Sequence, residues 1–307
     1  MPQPFRDMIA ATVSPMRADG TLDLGRVPAI VEHLMATTVT GVFVAGSTGE
    51  GPSLTTDERM ELAAAYVKAS AGRLRVLVHV GHNSLAEARR LAQHAQSIGA
   101  AGVAATPPSY FKPASVDGVI DCLAEVASGA PDLDFFYYHI PSMTGVQVDV
   151  AELLARGAER VPNFAGMKFT APELFQYLGA RAAVGGRQQL FWGFEEALLG
   201  ALVAGATEGI GSTYTFAGAL YRRLISAFAE GDLDAALDWQ TKAAGMLEVM
   251  NRFGRIESTK AAMRLVGVDC GPVRLPLKTL DDGQLDQMRR GFDDIGVLEV
   301  LQVSGPG

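Results

Sequence analysis

Short runs rich in β-branched and aromatic residues alternate eight times with longer Ala/Leu-rich amphipathic stretches, and this alternation predicts a (β/α)8 barrel. A doubly wound open sheet would show much the same alternation. However, no GxGxxG follows the first strand, and neither GxxxxGKS nor GxxxxGKT occurs anywhere, so the nucleotide-binding fingerprints of open sheets are missing. The 307-residue length also suits a single α/β barrel with something added.

The predicted strands are 8–13, 41–46, 75–80, 101–106, 134–139, 163–169, 189–193 and 207–212. Apolar residues at i, i+3, i+4 and i+7 predict helices over 24–38, 56–72, 84–98, 115–128, 149–158, 172–181, 195–205 and 215–229. Thr55 followed by Glu58 is a capping box, which starts a helix just beyond the 47–53 loop. Past the eighth unit the pattern is helical only, at 232–253, 256–267 and 282–296, with the Gly/Pro-containing stretch 268–280 as an extended connector. The expected division is a barrel over 1–230 and a C-terminal helical extension packed on it over 231–307, with 303–307 (VSGPG) as a frayed end.

Composition narrows the functional classes. The chain is 48% hydrophobic and 20% charged, with a formal net charge of −8, which is ordinary globular composition. Its basic residues are scattered or in short pairs, with no basic stripe for nucleic acid. The longest apolar runs are short and broken by Gly, Arg or Glu, so no membrane span is expected, and the start of the chain does not read as a signal peptide. Cys122 and Cys270 make no disulfide framework or metal spacing and suit a reducing cytosol, hence a cytoplasmic location. His79 and His82 form an H-x-x-H, but on a strand followed by a turn that spacing does not put both rings on one face, so no metal site is expected.

A parallel barrel carries its chemistry at the C-terminal ends of its strands. The sixth strand there holds Lys168, which by alternation shares a face with Gly166 and Phe164. Its sequence neighbours Met167 and Phe169 are apolar and no acid is close in sequence. Burial without a partner disfavours the ammonium and favours the neutral amine that attacks a ketone to form a Schiff base. Read alone, Lys168 better suits a strand-end lysine that snorkels to solvent. Ser47 and Thr48 lie between Gly46 and Gly49, in a turn whose hydroxyls and N–H groups could hold a carboxylate or simply satisfy their own backbone. Either Tyr137 or Tyr138 could point inward, as core packing or as a proton-passing phenol. Glu195 and Glu196 begin the seventh helix, where they favour the dipole or accept hydrogen bonds from a polyol.

Four segments taken together, GSTGE (46–50), YHIPSMTGV (138–146), GMKFT (166–170) and GATEGIGSTY (205–214), resemble the dihydrodipicolinate synthase / N-acetylneuraminate lyase family of class I, Schiff-base aldolases. The resemblance runs over nearly the whole chain. It implies that Lys168 forms the imine with the keto carbon, that Tyr138 shuttles the proton, and that Ser47 and Thr48 bind the keto-acid carboxylate. It also implies substrate contacts from Thr170, Gly193, Glu195, Glu196 and Ser212, and a tyrosine, Tyr110, lent to a neighbouring subunit of a homotetramer. No metal or organic cofactor is implied.

Within the family, synthases carry an arginine for a second carboxylate where this chain has Met143, whereas the lyases carry an apolar residue there. Glu195 stands in place of the lyases' aspartate, Thr215 in place of an asparagine and Ser142 in place of an alanine. The implied reaction is cleavage of a 2-keto-3-deoxy sugar acid such as N-acetylneuraminate to pyruvate and an aldehyde sugar. The rival expectations are another 2-keto-3-deoxy-sugar-acid aldolase or dehydratase, a dihydrodipicolinate synthase-like enzyme, and a non-catalytic barrel that binds a keto acid.

Overall fold

A computed structural model describes residues 4–37 and 39–302; Thr38, at the end of the first predicted helix, and the 303–307 tail lie outside the described residues. Eight parallel strands close in chain order: β1 (Asp7–Ala11), β2 (Gly41–Val44), β3 (Arg75–His79), β4 (Gly102–Ala105), β5 (Asp134–His139), β6 (Phe164–Phe169), β7 (Gln189–Trp192) and β8 (Glu208–Gly211). Closure is made by β8 against β1, with Asp7 opposite Glu208 and Ala10 opposite Gly211. This is the predicted (β/α)8 barrel, with every predicted strand present.

The helices are α1 (Val27–Ala36), α2 (Thr56–Ser70), α3 (Leu85–Ser97), α4 (Val116–Ala127), α5 (Pro141–Thr144), α6 (Val150–Arg160), α7 (Leu174–Val184), α8 (Leu198–Val203), α9 (Tyr214–Glu230), α10 (Leu233–Asn251), α11 (Arg255–Leu265), α12 (Asp282–Asp294) and α13 (Leu298–Gln302). The capping box of α2 forms as expected: Thr55 Oγ1 accepts from the Glu58 N–H, and the Glu58 carboxylate accepts from the Thr55 N–H. The side chains of Ser84, Ser115 and Asp149 cap the N-termini of α3, α4 and α6 by accepting from backbone N–H groups. Two short helices, α5 and α13, have no counterpart in the periodicity because one turn is too brief to show a period. Glu195 and Glu196 sit in a 3-10 turn (Glu195–Ala197) ahead of α8 rather than in the helix itself.

Two buried apolar layers result. Between strands and helices lies the larger one, which includes Val42, Val78, Phe135, Met167, Phe169, Trp192 and the inner faces of the helices. Inside the barrel Ile9, Ala11, Phe43, Leu77, Ala104, Phe136, Tyr138, Ile140, Phe191 and Ile210 form a second cluster. Its floor is Arg75, whose guanidinium lies 5.8 Å from the Phe136 ring and 5.7 Å from the Phe191 ring. Arg75 also pairs with Asp7 at 3.4 Å and Asp134 at 3.6 Å. The interior is therefore filled with side chains below, and a cavity opens at the C-terminal ends of the strands.

One expectation of strand alternation fails. Phe164 belongs to the outer layer, whereas Lys168 projects into the barrel. The cause is a register shift: Phe135 pairs with Phe164, but Phe136 pairs with Gly166, so Ala165 is an extra residue and the strand bulges. Gly166 has φ +147, and a Cβ there would lie 1.9 Å from the Gln189 carbonyl oxygen. No other residue fits. Gly166→Ala is expected to cost about 1–3 kcal/mol or more by overpacking and to lower the thermal midpoint by several degrees. Unchanged thermal unfolding would contradict the bulge.

Candidate active site

The mouth of the barrel is a cavity of about 540 Å³, and the residues singled out in the sequence gather on its walls. Lys168 comes from β6 and Tyr138 from β5. Ser47 and Thr48 come from the turn after β2, and Thr170, Gly193 and Ser212 from the ends of β6, β7 and β8. Glu195 and Glu196 complete the wall. Nine of the ten predicted site residues thus meet in one place. The tenth, Tyr110, is 79% exposed on the loop after β4 and is not among the residues that line this cavity, with its ring edge-on to Phe111 at 5.0 Å.

Lys168 is 4% exposed, and its Nζ lies 4.1 Å from the centroid of the Tyr138 ring and 4.6 Å from that of Phe43. No carboxylate among the described residues lies within ion-pair distance of it. The nitrogen rests on ring faces, a cation–π arrangement worth about 0.5–2 kcal/mol, and does not snorkel to solvent. Of the two tyrosines, Tyr138 is the inward one. Tyr137 points outward, with its hydroxyl 3.2 Å from His139 Nδ1.

Behind Lys168 stands His79, edge-on to Tyr138 at 5.6 Å and to Phe43 at 6.0 Å. Burial first, then the Arg59 guanidinium beside it and Lys168, hold its imidazole well below the usual histidine range, so the ring is neutral. Arg59, itself buried, donates to the His79 and Gly81 carbonyls at 2.7 and 2.9 Å. His82 faces the loop instead, where its Nδ1 accepts from the Ser84 N–H at 2.9 Å. Both histidines line a smaller cavity beside Thr106 and Ser109.

The turn that carries Ser47 and Thr48 takes its left-handed residues from outside its glycines. The left-handed residues are Ala45 (φ 57) and Glu50 (φ 53), not the glycines. Gly46 is needed for space, because a Cβ there would lie 2.7 Å from the Phe43 ring. Neither the Ser47 nor the Thr48 hydroxyl makes a hydrogen bond to another described residue, so they do not satisfy their own backbone. Glu50 anchors the turn. Its Oε1 pairs with the buried Lys260 of α11 at 2.6 Å, and its Oε2 accepts from the Arg274 N–H at 2.8 Å. Thr170 Oγ1 is likewise buried with no hydrogen-bond partner among the described residues, in contact with the Gly193 position. Hydroxyls left unsatisfied around a cavity are hydrogen-bonding capacity held for a ligand.

At the β7–β8 side, Glu195 Oε1 accepts from Ser212 Oγ at 3.0 Å and the Thr213 N–H at 2.9 Å. Glu196 pairs with Arg255 at 2.8 Å. Burial first, then the neighbouring Glu195 charge, push the Glu196 carboxyl up from its ordinary range, and Arg255 pulls it back. Gln240 of α10 donates to the Glu195 and Glu196 carbonyls at 3.3 and 3.0 Å. Arg255, Gln240 and Lys260 are residues that sequence reasoning missed. They belong to the helical extension, and nothing in a helical pattern announces which side chain reaches a distant barrel mouth. Among the described residues no group of three or more His, Cys, Asp or Glu side chains could hold a metal ion.

A (β/α)8 barrel with a buried, unpaired lysine on β6 and an inward tyrosine on β5 defines an aldolase-like class of site. The sequence matches the Dihydrodipicolinate synthetase family over residues 4–294, and the chain belongs to that family. It is 39% identical over 280 residues to the N-acetylneuraminate lyase of Mus musculus, covering 89% of this chain and 87% of that protein. It is 40% identical over 275 residues to the N-acetylneuraminate lyase of Gallus gallus, covering 88% and 89%. Among solved structures, Proteus mirabilis N-acetylneuraminate lyase superposes with a TM-score of 0.92 at 33% identity, covering 96% of this chain and 99% of that one.

His139 makes the fold pH-sensitive. Burial lowers its imidazole from 6.5 to about 4. The unfolded chain therefore takes up that proton first as the solution is acidified, so the contribution is complete above pH 6.5 and declines as pH falls from 6.5 towards 4. Urea midpoints are expected to drop between about pH 7 and pH 5, with a shallower drop in His139→Leu. A slope unaltered by that substitution would contradict the assignment.

Proposed function

We propose that the protein is a class I lyase that cleaves a 2-keto-3-deoxy sugar acid, N-acetylneuraminate, to pyruvate and N-acetylmannosamine. The observation that carries this reading is Lys168, buried against the Phe43 and Tyr138 rings with no anionic partner, among the open hydroxyls of Ser47, Thr48 and Thr170. Lys168 Nζ attacks the C2 carbonyl, and loss of water leaves a protonated imine. Ser47 and Thr48 hold the C1 carboxylate. Tyr138 takes the C4 hydroxyl proton while passing its own to the substrate carboxylate. The C3–C4 bond then breaks, its electrons move into the iminium to give an enamine, and the aldehyde sugar departs. Protonation at C3 and addition of water return pyruvate and free Lys168.

Gly193, Glu195, Glu196 and Ser212 receive the polyol, and Met143, 67% exposed on the rim, supplies no charge for a second substrate carboxylate. This is why a sugar acid suits the site better than the dicarboxylic chemistry of the synthases. No helix among the described residues is long and apolar enough to cross a membrane. The reading extends to a cytoplasmic homotetramer in which the exposed Tyr110 meets a neighbouring subunit's site.

With pyruvate and borohydride, mass spectrometry is expected to find one reduced adduct on Lys168 and none on Lys168→Ala. Tyr138→Phe keeps the adduct but loses cleavage rate by about 10²–10⁴-fold. Trapping and turnover that survive in Lys168→Ala would overturn the mechanism. A keto-acid panel with pyruvate detection fixes the substrate, since a dehydratase would release no pyruvate.

A further inference from the structure

The carboxylate end of the cavity poses an electrostatic problem that the barrel alone does not solve. Glu195 is 2% exposed and Glu196 follows it directly on the same 3-10 turn, so two carboxylates share one wall. The cation that offsets them comes from outside the barrel: Arg255, the first residue of α11 in the helical extension, lines the cavity beside them. Its three nitrogens have different surroundings. Nη1 donates to Glu196 Oε1 at 2.8 Å and Nε donates to Ser212 Oγ at 3.3 Å. Nη2 approaches Glu195 Oε1 only to 3.9 Å, beyond hydrogen-bond distance, and has no acceptor among the described residues. The side chain is 27% exposed, the remainder being closed by the wall it belongs to.

Ser212 in turn donates to Glu195 Oε1. A single guanidinium therefore ties together the three side chains that the functional reading assigns to the polyol, and its Nη2 is left without a hydrogen-bond acceptor among the described residues in the wall of the cavity. A neutral polyol alone satisfies the carboxylates, which accept, but offers Nη2 only weak hydroxyl acceptors. A tail that also carries a strong acceptor, such as an amide carbonyl, satisfies both. A planar fork with a fixed direction makes this kind of discrimination, which a lysine's point charge does not. A ligand without that acceptor leaves a half-buried donor unpaired, and sites built to hydrogen-bond a group reject analogues that lack it.

We propose that Arg255 is a specificity-determining residue, supplied by the helical extension, that selects 2-keto-3-deoxy acids whose tail combines hydroxyls with a strong hydrogen-bond acceptor. The proposal rests on the lyase reading above. Its test is the ratio of kcat/KM for N-acetylneuraminate to kcat/KM for a six-carbon 2-keto-3-deoxy aldonate, which lacks the acyl-amine and the longer tail. In Arg255→Met this ratio falls roughly tenfold or more, as expected for a lost hydrogen bond from a charged donor, and the loss appears in KM rather than kcat. Borohydride trapping of pyruvate on Lys168 serves as the folding control. Should Arg255→Met not fold, Arg255→Lys, which keeps the charge and loses the fork, is read by the same ratio.

An equal loss on both acids, or a loss confined to kcat, overturns the assignment of Arg255 while leaving the lyase reading intact. Failure of the unaltered protein to cleave N-acetylneuraminate, with pyruvate still trapped, removes that substrate and this proposal together.

Discussion

A buried lysine with no anion to pair with is the constraint around which the rest of the molecule is arranged. Burying an unpaired charge is costly, and most buried lysines are paired with a carboxylate or shift toward the neutral form. Here the nitrogen of Lys168 lies on the faces of Tyr138 and Phe43. Ring faces hold it more weakly than a carboxylate would, which suits the proposed attack on a carbonyl carbon. Its aim depends on the backbone: the extra residue Ala165 and the left-handed Gly166 turn β6 by one position, so that Phe164 enters the outer layer while Lys168 enters the barrel.

Around that nitrogen, the loops at the barrel mouth are held from outside. The helical extension reaches the β2 turn through Lys260 and the Arg274 backbone, both on Glu50. It reaches the β7 end through Gln240 and Arg255. Arg274 also grips Glu58, the side chain that completes the cap of α2, and holds its carboxyl down at about 2. Positioning catalytic loops by buried ion pairs rather than by apolar packing adds little net stability. It does fix direction, and reactions of bound groups depend steeply on direction.

The barrel was legible because its strands and helices repeat long enough to show their periods, and because capping residues such as Thr55 and Glu58 mark the boundaries. The placement of Lys168, Thr170 and Ser212 at the barrel mouth was legible because each falls at the C-terminal end of a strand, whereas alternation alone left Tyr137 and Tyr138 undecided and the roles came from the family resemblance. Three kinds of feature were not legible. The bulge at Ala165–Gly166 is invisible to alternation, since a single glycine in a strand marks only that something departs from the ladder. The left-handed residues of the turn after β2 are Ala45 and Glu50, which residue type does not mark as glycine would. Arg255, Gln240 and Lys260 act across distances in sequence that no local pattern encodes.

The most direct measurement of the central claim is a crystal structure of the protein soaked in pyruvate without reductant. Continuous electron density is expected from Lys168 Nζ to C2 of pyruvate, with the pyruvate carboxylate on the Ser47 and Thr48 hydroxyls. Pyruvate bound without a covalent link, with the lysine nitrogen turned to a carboxylate or to bulk solvent, would contradict it.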